Sequence, residues 1–253
     1  AAFGHQVAAD GIIKDGLWDV YNNIHMGSCA EKTATDYNIS REEQDAHAIS
    51  SYERAAAAWK AGTPAAEVVP VVIESKKGKV VVDHDEEYKN IKFEKVPGLK
   101  GAFEKNGTVT AANSSTLNDG ASALVLATRA KATALGIAPL ARILSYGDAA
   151  TAPHRFTIAP SLAIPIALER AGLKIEDISL FEINEAFSVV VRANEKILGL
   201  DPAKVNVAGG GVSLGHPIGS SGSRILVSLV HLLKPVSEFS VSPFSPSPPR
   251  CKS

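Results

Sequence analysis

The sequence has few cysteines and no long apolar run. Its 253 residues contain two cysteines, Cys29 and Cys251, which lie far apart in the chain. We therefore expect neither a disulfide framework nor a multi-cysteine metal site, and a reducing compartment fits best. No apolar stretch reaches the roughly 18–20 residues that a membrane helix needs, so we expect no membrane insertion.

An excess of charge is also absent. The formal net charge is −1, with 26 basic and 27 acidic residues. Such a chain has no global attraction to nucleic acid or to anionic lipid, and we expect no nucleic-acid partner. Hydrophobic residues make up 45% of the sequence, which is typical of a globular protein with a sizeable core.

The two ends predict little folded structure. The sequence begins Ala1-Ala2-Phe3 without methionine, so we expect a processed or incomplete chain with no readable targeting segment. The nineteen residues 235–253 include six Ser and five Pro. They cannot bury enough apolar surface to offset the entropy of ordering, and we predict a disordered tail.

Helix and strand signals alternate between these ends. Two capping boxes, Ser28 with Glu31 and Ser40 with Glu43, predict helix starts, and Gly62 predicts a helix stop. β-rich runs at 68–73 and 80–82 predict a hairpin. Further predictions are buried strands at 124–127 and 141–146, a short strand at 205–207, and helices at 161–171, 187–198 and 220–233. The alternation predicts an α/β layered fold.

The most specific stretch is 209–222, which reads Gly-Gly-Gly-Val-Ser-Leu-Gly-His-Pro-Ile-Gly-Ser-Ser-Gly. Its glycines allow close backbone approach, and they place His216 just before a helix whose N-terminal N–H groups stabilise negative charge. A histidine there can accept a proton from a nucleophile or donate to an oxyanion. A tight turn with a structurally satisfied histidine is an equally compatible interpretation.

Nucleotide binding is the alternative chemistry for this loop. The G-x-G-x-x-G pattern is absent because Leu214 stands where the third glycine belongs, and no G-K-[ST] follows. We therefore do not predict a nicotinamide or ATP site.

A second candidate is Asn184-Glu185-Ala186-Phe187, which follows the strand-like Leu180-Phe181-Glu182-Ile183. The Asn-Glu pair could polarise a water or a substrate carbonyl. It could equally cap the next helix, and by itself the pattern favours the cap.

Together these two stretches resemble the C-terminal signature of the thiolase family. Similar matches occur at 25–31, 106–113 and 115–121, so that the resemblance runs from about residue 10 to 233 and is closest to the mitochondrial acetoacetyl-CoA type. It implies a layered αβαβα fold whose N-terminal half is mostly absent here. The implied regions are a CoA-binding loop domain (1–107), the end of the N-terminal half (108–139), the C-terminal domain (140–234) and the divergent tail (235–253).

The resemblance also implies a reaction, acyl transfer between CoA thioesters through a cysteine acyl-enzyme. His216 would activate the nucleophile and donate to the thioester oxyanion, and Asn184 would position a water in the same oxyanion hole. The nucleophile belongs to the absent half, and neither Cys29, a packed helix residue in the family pattern, nor Cys251 is expected to replace it. We expect this chain to be inactive alone, or to be a non-catalytic piece that binds CoA or a subunit.

Two ligand sites follow from the same resemblance. Lysines suit the phosphates of coenzyme A, and hard oxygen donors suit a potassium ion. The family further implies a homotetramer in the mitochondrion. The implied CoA contacts are Tyr52, Asn90, Ile91, Lys92, Lys95 and Ser115, with His25 and Met26 beside the acyl pocket; the implied potassium ligands are Tyr52, Ala111, Ala112, Ser114 and Val212.

Overall fold

The computed structural model describes residues 3–5 and 7–233, so the predicted disordered tail lies outside the described residues. Within that part of the chain, no helix is both long and apolar enough to cross a membrane. The helices and strands are α1 (Gly11–Gly16), β1 (Trp18–Asp19), β2 (Ile24–His25), α2 (Met26–Asp36), α3 (Arg41–Lys60), β3 (Val71–Ser75), β4 (Gly78–Val82), α4 (Arg129–Ala134), α5 (Ala159–Ala171), α6 (Ser188–Leu198), α7 (Gly211–Leu214) and α8 (Ile218–Leu233).

The main core forms between α2, α6 and the segments that precede α5 and α6, and α3 packs against α6 beside it. Helix α6 buries Val189, Val190 and Val191 almost completely. Each buried valine stabilises the fold by about 1.5–3 kcal/mol relative to an exposed one. Because α3 also packs against α7, the core places the loops that precede α6 and α7 beside each other.

The predicted start and stop of α3 are confirmed. Ser40 Oγ accepts from the Glu43 N–H at 3.1 Å, and Glu43 Oε2 accepts from the Ser40 N–H at 2.8 Å. After the helix, Gly62 adopts a φ of 74°, a backbone conformation that glycine reaches without steric cost.

The predicted start of α2 at Ser28 is wrong. The helix begins at Met26, and His25 caps it by accepting the Gly27 N–H on Nδ1 at 2.9 Å. Glu31 accepts instead from the backbone N–H groups of Thr108 at 2.9 Å and Val109 at 2.8 Å. A local Ser-x-x-Glu spacing does not distinguish a cap from a carboxylate that binds a distant loop, because both satisfy orphan N–H groups.

The predicted hairpin is confirmed as β3 and β4. The strands pair antiparallel, with Val71 opposite Val82 and Ser75 opposite Gly78. Gly78 has a φ of 120°, which a tight turn requires here.

The strands predicted at 124–127 and 141–146 are wrong. Both segments are irregular, and Leu126 and Ile143 are 74% and 71% exposed. A strand forms only where a neighbour completes its backbone hydrogen bonds. Along 141–146 the polar contacts go to α5 instead, where Ser145 Oγ donates to the Ala167 carbonyl.

The last predicted strand is confirmed only in part, and the three predicted helices are confirmed. The strand at 205–207 is reduced to isolated bridges, between Val205 and Phe181 and between Val207 and Gly209. The three C-terminal helices are confirmed as α5, α6 and α8, with starts within two residues of the predicted ones.

Close packing against α2 makes Gly27 sensitive to substitution. A Cβ at position 27 would overlap the Phe103 ring, and the ring or the helix would have to move. We expect Gly27→Ala to lower the free energy of unfolding by about 1–3 kcal/mol in urea titrations. Gly98→Ala is the control, since nothing lies within 4 Å of its Cβ position. Equal stability of the two variants would contradict this packing.

Candidate functional site

Both ring nitrogens of His216 have a partner. Nδ1 lies 2.6 Å from Ser221 Oγ, and Nε2 lies 3.3 Å from Asn184 Nδ2. Ser221 Oγ donates to the Pro217 carbonyl at 3.2 Å, so it accepts from the histidine. The network therefore assigns the proton to Nδ1 and leaves Nε2 unprotonated, facing the Asn184 amide.

The surroundings of His216 favour this neutral ring. Burial lowers the pKa of His216, and the positive charge of Arg224 lowers it further. A neutral imidazole whose Nε2 carries no proton can accept one there, in place of the hydrogen bond from the Asn184 amide. The backbone N–H of His216 donates to the Thr116 carbonyl at 3.0 Å, which joins the glycine-rich loop to the 108–116 segment.

The helix-cap interpretation of Asn184 is wrong. Helix α6 has Phe187 at its N-cap position, and no side chain caps it. Asn184 instead faces His216, and its Oδ1 is buried without a hydrogen-bond partner among the described residues. The two stretches singled out in the sequence thus meet in one candidate site.

Behind this pair lies Glu185, whose side chain is fully buried. It accepts hydrogen bonds from His47 Nε2 at 3.2 Å and Ser51 Oγ at 2.7 Å. Asn206 Nδ2 donates to it at 2.8 Å and the Val212 N–H at 3.2 Å. Burial alone would raise the pKa of Glu185, but the hydrogen bond and charge of His47, with the bonds from Asn206 and Ser51, lower it to about 2. The carboxylate is therefore ionised at neutral pH.

Two glycines of the loop are required by close approach. A Cβ at Gly210 would overlap the Glu185 carboxyl group. Gly215 has a φ of 88°, and a Cβ there would overlap the Asn118 amide. Side chains at either position would push the loop away from the groups that hold it.

The residues of the predicted CoA site fall into two groups. Tyr52 is buried with Val212, and Ile91 packs against them. Ser115 donates its N–H to the Ala186 carbonyl at 3.0 Å, next to the Asn184-Glu185 pair. The polar members Asn90, Lys92 and Lys95 are exposed.

The other two predicted CoA residues, His25 and Met26, lie at the start of α2. The His25 ring stacks on Phe103 with 4.8 Å between ring centroids, and Phe103 meets Phe187 edge-on at 5.9 Å. His25 is thereby connected through one ring to the segment that follows Asn184. Its place beside an acyl pocket stays a prediction.

The predicted potassium ligands include a buried oxygen without a partner. Tyr52, Ala112, Ser114 and Val212 are buried, whereas Ala111 is exposed. Ser114 Oγ has no hydrogen-bond partner within the described part of the chain. Burial and the charges of Glu87 and Glu185 raise the pKa of Tyr52 to about 12, so its phenol remains a neutral oxygen donor. These residues fit a hard cation.

The surroundings of Cys29 do not suit a catalytic nucleophile. Its side chain is fully buried in α2. Burial raises the pKa of the Cys29 thiol, and the charge of Asp19 adds to that effect. A reactive cysteine needs an accessible thiolate, so the packed-residue interpretation holds. Cys251 lies outside the described residues.

Three residues that contact the site, Ser221, His47 and Ser51, were not singled out in the sequence. Ser221 follows His216 by five positions, in the first turn of a helix, so its spacing was available as a hint. His47 and Ser51 reach Glu185 from α3, more than 130 positions earlier in the chain. Such contacts depend on the tertiary fold and not on a motif.

Two protein-family models match the chain, "Thiolase, N-terminal domain" over residues 1–130 and "Thiolase, C-terminal domain" over residues 137–242. The chain belongs to the thiolase family. This confirms the resemblance first carried by 184–187 and 209–222.

Curated thiolases resemble the chain closely over part of their length. A mitochondrial acetyl-CoA acetyltransferase of Mus musculus is 59% identical over 236 residues, which cover 92% of this chain and 55% of that protein. The acetyl-CoA acetyltransferase of Yarrowia lipolytica is also 59% identical, with 92% and 58% covered. The chain thus spans little more than half the length of these relatives.

Solved thiolase structures share the fold. The acetyl-CoA acetyltransferase of Bacillus anthracis superposes with a TM-score of 0.89 at 44% identity, covering 92% of this chain and 59% of that one. The Acat5 thiolase from Ascaris suum, in complex with coenzyme A, gives 0.84 at 47% identity, covering 92% and 60%. The α/β thiolase fold predicted from the sequence is confirmed for the matched part.

A buried acidic side chain lies two residues before Asn184. The Glu182 side chain is 4% exposed, and its Oε2 lies 3.8 Å from Arg224 Nη1. Burial raises the pKa of Glu182 to about 8, against the opposing charge of Arg224 and with added repulsion from Glu185 and Glu67. The folded protein therefore keeps this proton at neutral pH.

This proton makes stability depend on pH. Below pH 4.5 both states carry it, and between 4.5 and about 8 the unfolded chain releases it while the folded chain does not. The unfolding free energy must therefore fall as pH rises. We expect Glu182→Gln to reduce the loss between about pH 5 and about pH 9 by roughly 2–4 kcal/mol in denaturant titrations. Parallel curves for both proteins would rule this out.

The tautomer of His216 depends on Ser221. In Ser221→Ala the Nδ1–H loses its acceptor, so we expect the Nε2–H form to become populated, at a stability cost of about 1 kcal/mol. Imidazole nitrogen chemical shifts measure the two forms directly. Ser223→Ala, which removes a neighbouring hydroxyl bonded to Ser122 and Ser220, is the control. An unchanged tautomer in Ser221→Ala would refute the assignment.

Proposed function

We propose that this chain is the CoA-binding and histidine-bearing part of an acetyl-CoA C-acetyltransferase. The reaction converts acetoacetyl-CoA and CoA into two molecules of acetyl-CoA, and the reverse, in ketone-body, fatty-acid and isoleucine metabolism. The observation that supports it is the contact between His216 Nε2 and the Asn184 amide at 3.3 Å, just before the start of α8. The names of the relatives agree with this reaction.

His216 and Asn184 have complementary roles in this proposal. Nε2 of His216 accepts the proton of the nucleophilic cysteine, whose thiolate then attacks the C3 carbonyl of acetoacetyl-CoA. The C2–C3 bond breaks, the acyl group stays on the cysteine, and acetyl-CoA leaves as an enolate. The protonated ring and a water held by the Asn184 amide donate to the thioester oxygen of that enolate, whose α-carbon takes a proton from the second cysteine that the family uses. The thiol of the incoming CoA then attacks the acyl-cysteine, which gives the second acetyl-CoA and frees the cysteine.

The cysteine itself is proposed to lie outside these 253 residues. The Cys29 side chain is fully buried in α2 and the pKa of its thiol is raised, which supports this part of the proposal. The chain alone is then inactive. The same observation favours the second candidate function, a non-catalytic piece that binds CoA or an intact subunit.

Coenzyme A is proposed as the substrate, with Lys92 and Lys95 binding its phosphates. Both ammonium groups are exposed, as mobile phosphate contacts must be. A potassium ion bound by the Tyr52 and Ser114 oxygens and by carbonyls of Ala111, Ala112 and Val212 would supply a fixed positive charge beside the loop. The proposed location is the mitochondrion and the proposed assembly a homotetramer.

Binding of CoA to the chain tests this proposal. We expect the double variant Lys92→Ala/Lys95→Ala to weaken CoA binding roughly 5–10-fold in calorimetry, because two phosphate contacts are lost. Lys76→Ala/Lys77→Ala removes the same charge from the exposed hairpin turn and should bind CoA normally.

Turnover tests the proposed inactivity of the chain alone, which acetoacetyl-CoA cleavage by this chain would contradict. CoA binding without turnover supports the proposal. No CoA binding by the unmodified chain would overturn it and leave only the candidate that binds an intact subunit.

A further inference from the structure

The proposed chemistry does not use Glu185, although four protein groups donate hydrogen bonds to its buried carboxylate. The side chain is 1% exposed, and its donors come from three separate parts of the fold. His47 and Ser51 belong to α3, Val212 to α7, and Asn206 to the turn that precedes the glycines.

These contacts fix both members of the His216–Asn184 pair. Glu185 is the chain neighbour of Asn184, so holding its carboxylate also holds residue 184. On the other side it binds the Val212 N–H of α7, the helix that leads through Gly215 to His216. Ser51 extends the same contact, since its Oγ accepts from the Gly210 N–H at 3.2 Å and lies 2.9 Å from Ser213 Oγ.

We propose that Glu185, supported by His47, is a positioning residue that sets the distance between Asn184 Nδ2 and His216 Nε2. It touches no reacting atom in the proposed function. Its effect on acyl transfer rests on that function, but the geometric claim concerns this chain alone.

A carboxylate is needed because every partner donates. Asn206 Nδ2 and the Val212 N–H can only donate, and Ser51 Oγ donates to the carboxylate while it accepts from the Gly210 N–H. The NH2 group of a glutamine would replace Oε1, which accepts from His47 and Asn206, or Oε2, which accepts from Ser51 and Val212, so it would face two donors and leave buried groups unsatisfied. Gly210 leaves no room for the amide to turn away, since even a Cβ there would overlap the carboxyl group.

The test compares Glu185→Gln with Glu31→Gln by NMR of the His216 ring nitrogens. Glu31 is a matched control, because it is also buried and also accepts from backbone N–H groups. Both variants should lose stability, but only Glu185→Gln should lower the Nδ1–H population of His216, by roughly two-fold or more. The same change in both variants would reduce Glu185 to a structural residue and overturn the proposal.

His47 supplies a second, milder test if Glu185→Gln fails to fold. Its side chain is 10% exposed, so it tolerates substitution better than Glu185. We expect His47→Leu to shift the His216 tautomer and His47→Gln, which keeps an N–H donor, to restore most of the original signal. A wild-type spectrum in His47→Leu would overturn the supporting role of His47.

The outcome is separable from that of the proposed function. CoA binding is measured on the same samples by calorimetry. If the unmodified chain binds no CoA, the proposed function fails, while a tautomer change specific to Glu185 still upholds the positioning role. If CoA binds but the tautomer is unaffected in Glu185→Gln, the positioning role fails and the function stands.

Discussion

An ionised carboxylate without access to water must be surrounded by donors, and the site is organised around meeting that requirement. Leaving a buried charge unpaired costs several kcal/mol, which few domains can bear. The Glu185 carboxylate meets the requirement with a histidine, a serine, an asparagine and a backbone N–H. Each donor belongs to a segment that must be in place for the others to bind, so the carboxylate ties α3, α7 and the turn at Asn206 into one unit.

Buried carboxyl groups hold the neighbouring 108–116 segment in the same way. Glu31 on α2 binds the N–H groups of Thr108 and Val109. On α3, Asp45 accepts from Asn113 Nδ2 at 2.9 Å. Residues 108–113 therefore keep an irregular course, because acidic side chains from two helices bind groups that a neighbouring strand would otherwise bind, whereas Ser114 forms an isolated bridge with Phe187.

The sequence was a good guide where the signal is local. The Ser40 box, the hairpin and the C-terminal helices follow from spacings of a few residues, and the fold brings together the two motifs that the sequence singled out, the glycine-rich stretch and Asn184-Glu185. Prediction from sequence failed where a side chain has two possible hydrogen-bond roles. Glu31 and Asn184 match capping patterns, yet Glu31 binds the N–H groups of Thr108 and Val109, and Asn184 contacts His216. The strands at 124–127 and 141–146 failed because β-propensity reports a side chain's fitness for a sheet and not the presence of a neighbouring strand. Ser51, His47 and Asn206 could not be found at all, since only the packing of α3 brings them to Glu185.

The irregular segments that carry Leu126 and Ile143 have a consequence for handling the molecule. Their apolar side chains face solvent, and neither segment forms a strand. At higher protein concentration such surfaces of different molecules meet more often, and burying their apolar area against each other is favourable. The concentration at which the purified chain clouds, and not the temperature at which it melts, will therefore set the practical limit for spectroscopy and calorimetry.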